Sequence, residues 1–407
     1  MTNILYISYD GLTDPLGQSQ ILPYLSGLAK ESYSITIISA EKEQNYQEKR
    51  EQIEKFCVSN NLKWYPIRYT KRPPILSTLL DLFKIYRLAI SLNQRNPFKI
   101  IHCRSYISSL IGLRFKRKFG IKFLFDMRGF WADERIDGKI WNLSQLHYRL
   151  VYQFFKKKEL EFLQEADAIV SLTHAAVHEM QTWKELQDRN IEINVIPCCV
   201  DTNRFSISNV SEEKIVDLKK SLGLDNRFVL SYLGSIGTWY MLDEMLDFFK
   251  TMLEENDNAI FFFITGESPE VIIKAATKKE IDLSKIVIQK ANYTEVPMYL
   301  SLSDFSIFFI KPAYSKIASS PVKQGELMSM AIPIVCNSRV GDTAKVIEDY
   351  SCGIVLDNFN KASYRESIAK MRNFKLDKAQ AIKGANEYFG LQEGVSLYSG
   401  IYKKLSR

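Results

Sequence analysis

The chain is poor in the residues that most often bridge strands or hold metals, with 6 Cys and 4 His in 407 residues. Cys57, Cys103, Cys198, Cys199, Cys336 and Cys352 form no C-x-x-C pair, and two of them are adjacent, so no disulfide framework is indicated and reduced, buried thiols are expected. His174 and His178 lie four apart on a predicted helix, but H-A-A-V-H lacks the H-E-x-x-H pattern and a third ligand, and no metal site is expected. No stretch reaches 18 uninterrupted apolar residues, which argues against a membrane span. The first residues, MTNILYISYD, lack the basic, apolar and small-residue regions of a signal peptide, and a cytoplasmic protein is expected. No G-x-G-x-x-G follows the first strand, so nicotinamide binding is poorly supported. Low-complexity tracts and repeats of 20 to 50 residues are also absent.

What is present describes a globular chain. Hydrophobic residues make up 46% and charged residues 25%, and the length sets a prior of two cores. The net charge of +7 is uneven: residues 1–200 carry 28 Lys and Arg against 21 Asp and Glu, residues 201–407 carry 26 against 26. Basic runs such as Arg114, Lys116, Arg117, Lys118 and Lys156, Lys157, Lys158 alternate with Phe115, Phe119, Phe154 and Phe155. That pattern suits either a solvated helix face or peripheral contact with an anionic membrane. The modest excess, without a helix-turn-helix, zinc-finger or RNP pattern, gives no support for nucleic acid.

Short β-rich runs alternate with amphipathic helical runs, among them Gln20 to Leu28, with Ile21, Tyr24, Leu25 and Leu28 on one face, and Leu79 to Leu92, the signature of parallel sheets covered on both faces. Residues 4–9, 34–39, 99–103, 122–125, 168–172 and 193–196 form one strand series; 228–234, 260–265, 286–289, 305–310, 332–336 and 353–356 form a second. The fold class is therefore α/β with two Rossmann-like domains, expected at residues 1–200 and 201–389 and facing across a cleft. A final helix over 390–407 is expected to pack back on the first domain. Sites should lie beyond the carboxyl ends of the strands.

The most informative segment is SSPVKQGE, Ser319 to Glu326. Ser320 as cap and Pro321 in the first turn would aim free N–H groups at an anion, Lys323 would add a mobile positive charge, and Glu326, one turn on, would accept from ribose hydroxyls. On spacing alone the same residues also suit a capped helix with an exposed Lys–Glu pair, worth only about a few tenths of a kcal/mol. The stretch S-P-V-K-Q-G-E-L-M-S-M-A-I-P resembles the donor-binding motif of GT-B glycosyltransferases of family 4, with Ala331 where the family usually has Gly. DPLGQSQILPYLSGLA (14–29), IPCCVDTNRF (196–205) and VPMYLSLSDFSIFFI (296–310) resemble further family stretches in the expected order.

The resemblance implies a retaining glycosyltransferase whose donor is a nucleoside diphosphate sugar, UDP before GDP, with no further cofactor. The acceptor would be a saccharide or polyprenyl-linked molecule of surface polysaccharide or glycan synthesis, taken by the first domain while the second takes the donor. Gly17, in the first loop, would let the backbone approach the donor. The family's usual G-R grip is replaced by YLGSIGTWYM, with no cation nearby, so Gly234, Ser235 and Thr238 would assist through a nest-like turn while Lys311 and Lys323 supply charge. Ala318 stands where many relatives carry a sugar-binding Glu. In HCRSY and FDMRGFWADERIDG, His102, Arg104, Asp126, Arg128 and Glu134 would meet acceptor or sugar, with Arg128 and Lys323 as catalytic cations. A structural ion-pair network is the alternative there, and Asp133, Glu134 and Asp137 also suit an acidic cluster on an exposed loop. No D-x-D occurs, which argues against the metal-chelating strategy of single-domain glycosyltransferases. Two other readings stay open: a sugar-nucleotide epimerase or phosphorylase on the same frame, and a catalytically silent nucleotide-sugar-binding partner.

Overall fold

A computed structural model describes residues 1–187 and 191–407. The chain divides into two compact units, Met1–Cys198 with Leu391–Arg407, and Cys199–Gly390. Each is a parallel sheet layered with helices, so each is Rossmann-like, as the two strand series imply.

The first unit holds β1 (Thr2–Ser8), β2 (Tyr33–Glu41), β3 (Leu62–Arg68), β4 (Ile100–Arg104), β5 (Lys122–Asp126), β6 (Ala168–Ser171) and β7 (Ile193–Val195), in the order β3-β2-β1-β4-β5-β6-β7. The second holds β8 (Phe228–Leu233), β9 (Ala259–Ile264), β10 (Ile286–Gln289), β11 (Phe305–Phe308), β12 (Ile334–Asn337) and β13 (Gly353–Leu356), in the order β10-β9-β8-β11-β12-β13. Central strands are buried on both faces, which is why β4 and β9 are buried at every residue and β9 reads as a continuous rather than alternating apolar run. The sequence reading missed β3. LKWYPIR contains Pro66, which cannot donate to a ladder, and the strand is tolerated because it lies at the sheet edge and pairs only with β2.

Strand order reverses direction between β1 and β4 and again between β8 and β11. In open parallel sheets such reversals leave a crevice beyond the carboxyl ends of the flanking strands, where ligands bind. The loops and helix starts after β1, β8 and β11 carry most of the candidate residues.

The expected helix over Gln20 to Leu28 is two helices, Pro15–Gln20 and Leu22–Lys30, because Pro23 belongs in a first turn and not in a helix interior. The second buries Leu22, Tyr24, Leu25 and Leu28. Against it packs the C-terminal helix Leu391–Ser406, which buries Gly394, Val395, Tyr398, Ile401, Tyr402 and Leu405 at i, i+3 and i+4 spacing. A Cβ at Gly27 would come within 2.6 Å of Val395, so glycine sets how closely the two helices approach. Gly27→Val is expected to destabilise the unit by about 1–3 kcal/mol through overpacking, read as a lower urea midpoint at unchanged m-value. An unchanged midpoint would mean that this contact does not hold the helix.

Candidate functional site

In the second unit the helix begins at Val322, with Pro321 rather than Ser320 in the capping position. Pro321 has an extended ψ of 117°, which cannot belong to a helical turn. Every residue from Lys323 to Ser329 is buried. The exposed Lys–Glu pair that spacing alone allowed is thereby ruled out: Lys323 and Glu326 are each only 7% exposed. Nor is Lys323 a mobile charge. Its Nζ donates to the Tyr232 hydroxyl at 3.2 Å and lies 3.6 Å from the Tyr240 ring centre and 4.4 Å from that of Tyr232. Such rings attract a cation through their quadrupoles. Burial pulls the Lys323 ammonium down to about 7, opposed by Glu326, and pushes the Glu326 carboxyl up to about 7, opposed by Lys323.

Packing fixes this helix. Gln324 Nε2 donates to Thr343 O at 3.0 Å and Ser329 Oγ to Phe205 O at 2.5 Å. A Cβ at Gly325 would lie 2.7 Å from Phe389, so only glycine fits beneath that ring. The chain leaves the helix through Ala331 in the left-handed region, φ 53°, a conformation that costs an alanine roughly 1 kcal/mol. That is the physical content of the family's glycine at this position.

The loop after β8 has a cation beside it from a distant part of the sequence. A Cβ on Gly234, whose φ is 110°, would lie 3.2 Å from Lys323 Nζ, so glycine here leaves room for the ammonium. Lys316, buried and not anticipated, places Nζ 3.6 Å from the Trp239 ring centre. The Gly234 N–H is committed to Ile264 O at 2.9 Å, which removes it from the proposed nest. Ser235 and Thr238 are exposed in the loop, and Lys311 is exposed directly beyond the segment that pairs with Tyr240. Ser320 is half-buried just ahead of the helix. Tyr293 senses the Glu326 charge and lies under the Arg204 guanidinium at 5.0 Å.

In the first unit, sheet register brings the other candidates together. Ser8 pairs with Arg104 and Arg104 with Asp126 across β1, β4 and β5. His102 Nδ1 lies 2.7 Å from the Tyr402 hydroxyl and its Nε2 3.4 Å from Asp126 Oδ2, to which the Tyr398 hydroxyl donates at 3.1 Å. The C-terminal helix therefore supplies two tyrosines to the network. Burial lowers His102 despite Asp126 and keeps the ring neutral. Burial alone would raise the Asp126 carboxyl, but Arg128, His102 and Arg104 outweigh it and hold it low. Arg128 sits at φ 57°, a strained conformation for a side-chain-bearing residue, 3.9 Å from Asp126 Oδ1 and 3.2 Å from Cys198 Sγ. Its Nε and the Asp126 Oδ1 are buried without a hydrogen-bond partner, the sort of capacity a polar ligand completes.

Asp133, Glu134 and Asp137 are on the helix Trp131–Asp137, not on a loop. Asp133 is buried and accepts from Tyr152 and Lys156, which makes it structural, while Glu134 lines the same cavity as Arg104 and Arg128. A Cβ at Gly17 would lie 2.2 Å from Gly11 O, so glycine here admits a close approach of the chain's own first loop. That loop is held by Glu41, buried at the end of β2, which accepts from the Leu12 and Thr13 amides at 2.8 and 3.1 Å. A carboxylate closing a buried strand was the one signal in the sequence for it.

The sequence matches Glycosyltransferase Family 4 over residues 21–204 and Glycosyl transferases group 1 over residues 214–387. No curated protein matches. Solved structures share the fold: a sucrose-phosphate synthase from Thermosynechococcus elongatus (12% identity, 100% of this chain and 99% of that one, TM-score 0.72) and a glycosyltransferase from Rickettsia africae (14%, 100% and 99%, 0.69). Anabaena HepE in complex with UDP and glucose is a third (12%, 100% and 100%, 0.69).

The Arg128 cluster makes a thermodynamic prediction. Asp126→Asn leaves buried Arg128 uncompensated and is expected to cost about 3–5 kcal/mol, against about 1 for Tyr398→Phe, by urea denaturation. Because the His102 pKa is depressed, the unfolded chain binds its proton near the ordinary 6.5 and the folded chain does not, so stability should fall as pH drops below that value. Equal small costs for both variants would dissolve the network.

Proposed function

Given that this chain belongs to the GT-B glycosyltransferases of family 4, group 1, we propose that it is a retaining enzyme whose second unit holds a nucleoside diphosphate sugar at Lys323 and Glu326. The first unit would receive a saccharide or lipid-linked acceptor near Arg104, Asp126 and Arg128. The observation that carries the donor assignment is the burial of two opposite charges on one helical turn, beside a loop glycine whose missing side chain leaves room at the ammonium. Charges so buried are costly unless a ligand pairs with them. A diphosphate satisfies Lys323, and the two ribose hydroxyls satisfy Glu326. UDP is the preferred nucleotide, in keeping with the HepE complex, and GDP the alternative.

In the reaction the bond between the anomeric carbon and the β-phosphate oxygen breaks, and a bond to the acceptor hydroxyl oxygen forms on the same face. The hydroxyl proton passes to the leaving phosphate oxygen, so no enzymic nucleophile is needed. Charge builds on the departing diphosphate, and Lys323, with Lys316 and Lys311 as further cations, is suited to stabilise it. The absence of a carboxylate at Ala318 shifts donor-sugar contacts to other groups.

Proton linkage tests the assignment. At pH 8 the free Lys323 is largely neutral, and a diphosphate beside it favours the charged form, so binding should take up close to one proton. At pH 6 the free Glu326 is largely protonated, and ribose hydroxyls favour the carboxylate, so the same binding should release protons. Calorimetry of UDP and GDP in buffers of different ionisation enthalpy measures both signs. Lys323→Met should abolish the uptake, and Lys323→Met and Glu326→Gln should each lower turnover with a demonstrated donor and acceptor by at least about 100-fold. Near wild-type donor affinity and turnover in both variants would remove the assignment.

A further inference from the structure

The helix Leu76–Arg95 is inside out over its first two turns. It buries Ser77 and Asp81, while Leu76, Leu79, Leu80 and Phe83 are each more than half exposed. Asp81 is fully paired inside, accepting from the Thr70 amide and hydroxyl at 2.8 and 2.7 Å, from Lys84 at 3.0 Å and from the Tyr9 hydroxyl at 3.2 Å. The helix is thus anchored by its polar side and turns its apolar side outward. Across from it, Leu146 and Leu150 of the helix Leu146–Glu165 are likewise more than half exposed, with Phe154 one turn on. A single apolar residue in solvent is ordinary, but a facing pair of apolar helix surfaces marks an interaction site.

Between them runs a groove of about 1370 Å³, walled by Leu79, Phe83, Leu150 and Phe154. Its floor is the helix Ser105–Phe119, and residues from Ser105 to Arg117 line it, a run of roughly 18 Å at 1.5 Å per residue. The volume exceeds the roughly 300–1,000 Å³ that serves a compact small molecule. One end reaches Arg104, Arg128 and Glu134, where Arg128 Nε is buried without a partner. Cations outnumber carboxylates along the lining. Several are committed, Lys42 to Asp14, Arg117 to Glu161 and Glu165, and Lys158 to Glu161, so the basic runs carry less available charge than the sequence suggests, while Arg104 and Arg128 stand 3.5 and 3.9 Å from one carboxylate oxygen each, of Asp10 and Asp126. Arg114 instead lies over the Tyr86 ring at 5.8 Å, and Arg135 over Trp131 at 5.0 Å.

We infer that this groove binds the aliphatic chain of an acceptor lipid whose phosphate is drawn to its arginines. As an acceptor site it rests on the transferase reading. Length, apolar walls and positive lining together fit a chain with an anionic head; a free saccharide uses none of the apolar wall.

Trp131 and Trp141 line the groove, so tryptophan fluorescence of the intact protein reports its occupation. Farnesyl diphosphate should bind at least ten times more tightly than inorganic diphosphate. The double variant Leu79→Asp, Phe83→Asp, at exposed positions, should weaken farnesyl diphosphate at least tenfold while leaving thermal stabilisation by UDP or GDP unchanged. Equal affinity for the two diphosphates, or undiminished binding in the variant, overturns the inference. So does recruitment to phosphatidylglycerol vesicles through the same residues without binding of farnesyl diphosphate in solution, which would make the face a membrane-docking surface. Farnesyl binding by the groove with no stabilisation by any nucleotide would sink the donor reading and leave the groove assignment standing.

Discussion

The second unit is organised around a conflict: Lys323 and Glu326 are packed where neither charge is well solvated. Isolated burial of a charge is worth several kcal/mol against folding, and proteins meet it with partners or by neutralisation. Here aromatic rings, each other's field and a shift toward neutrality share the task in the free protein. The surrounding design follows from holding that turn rigid. Gly325 lets Phe389 lie against it, Ser329 and Gln324 tie both flanks, Gly234 leaves room for the ammonium, and Ala331 accepts a left-handed turn so that the chain can enter β12.

Much of this was legible in the sequence. Two series of apolar runs gave two parallel sheets, because strands covered on both faces have no polar side to show. The candidate donor segment stood out because its residue types cluster within one turn and resemble the family's motif. Environment was not: spacing alone could not say whether Lys323 and Glu326 face water, and it made the lysine mobile when it is caged. Tyr232, Tyr240 and Lys316 escaped notice because they come from other loops and meet Lys323 and Trp239 only through the tertiary fold. Pro66 hid an edge strand, and Pro23 divided a helix that periodicity had run together.

The first unit illustrates a second limit. Sheet register aligned Arg104 with Asp126, and strand ends alone suggested their convergence. That Tyr398 and Tyr402 complete the network required the C-terminal helix to be set against the helix Leu22–Lys30 and β4, a contact spanning almost the whole chain. Leu79 looked like one member of an apolar helical face. Over the first two turns the structure sets the apolar side outward and anchors Ser77 and Asp81 inside, while Ile85, Ala89 and Leu92 further on are buried.

The central claim is that the charges of one buried turn are met by a donor nucleotide. A crystal structure of the protein soaked with UDP or GDP tests it most directly. The account predicts ribose hydroxyls within hydrogen-bond distance of the Glu326 carboxylate and phosphate oxygen on Lys323 Nζ. A nucleotide bound elsewhere, with Lys323 still enclosed by Tyr232 and Tyr240 and Glu326 untouched, would contradict it.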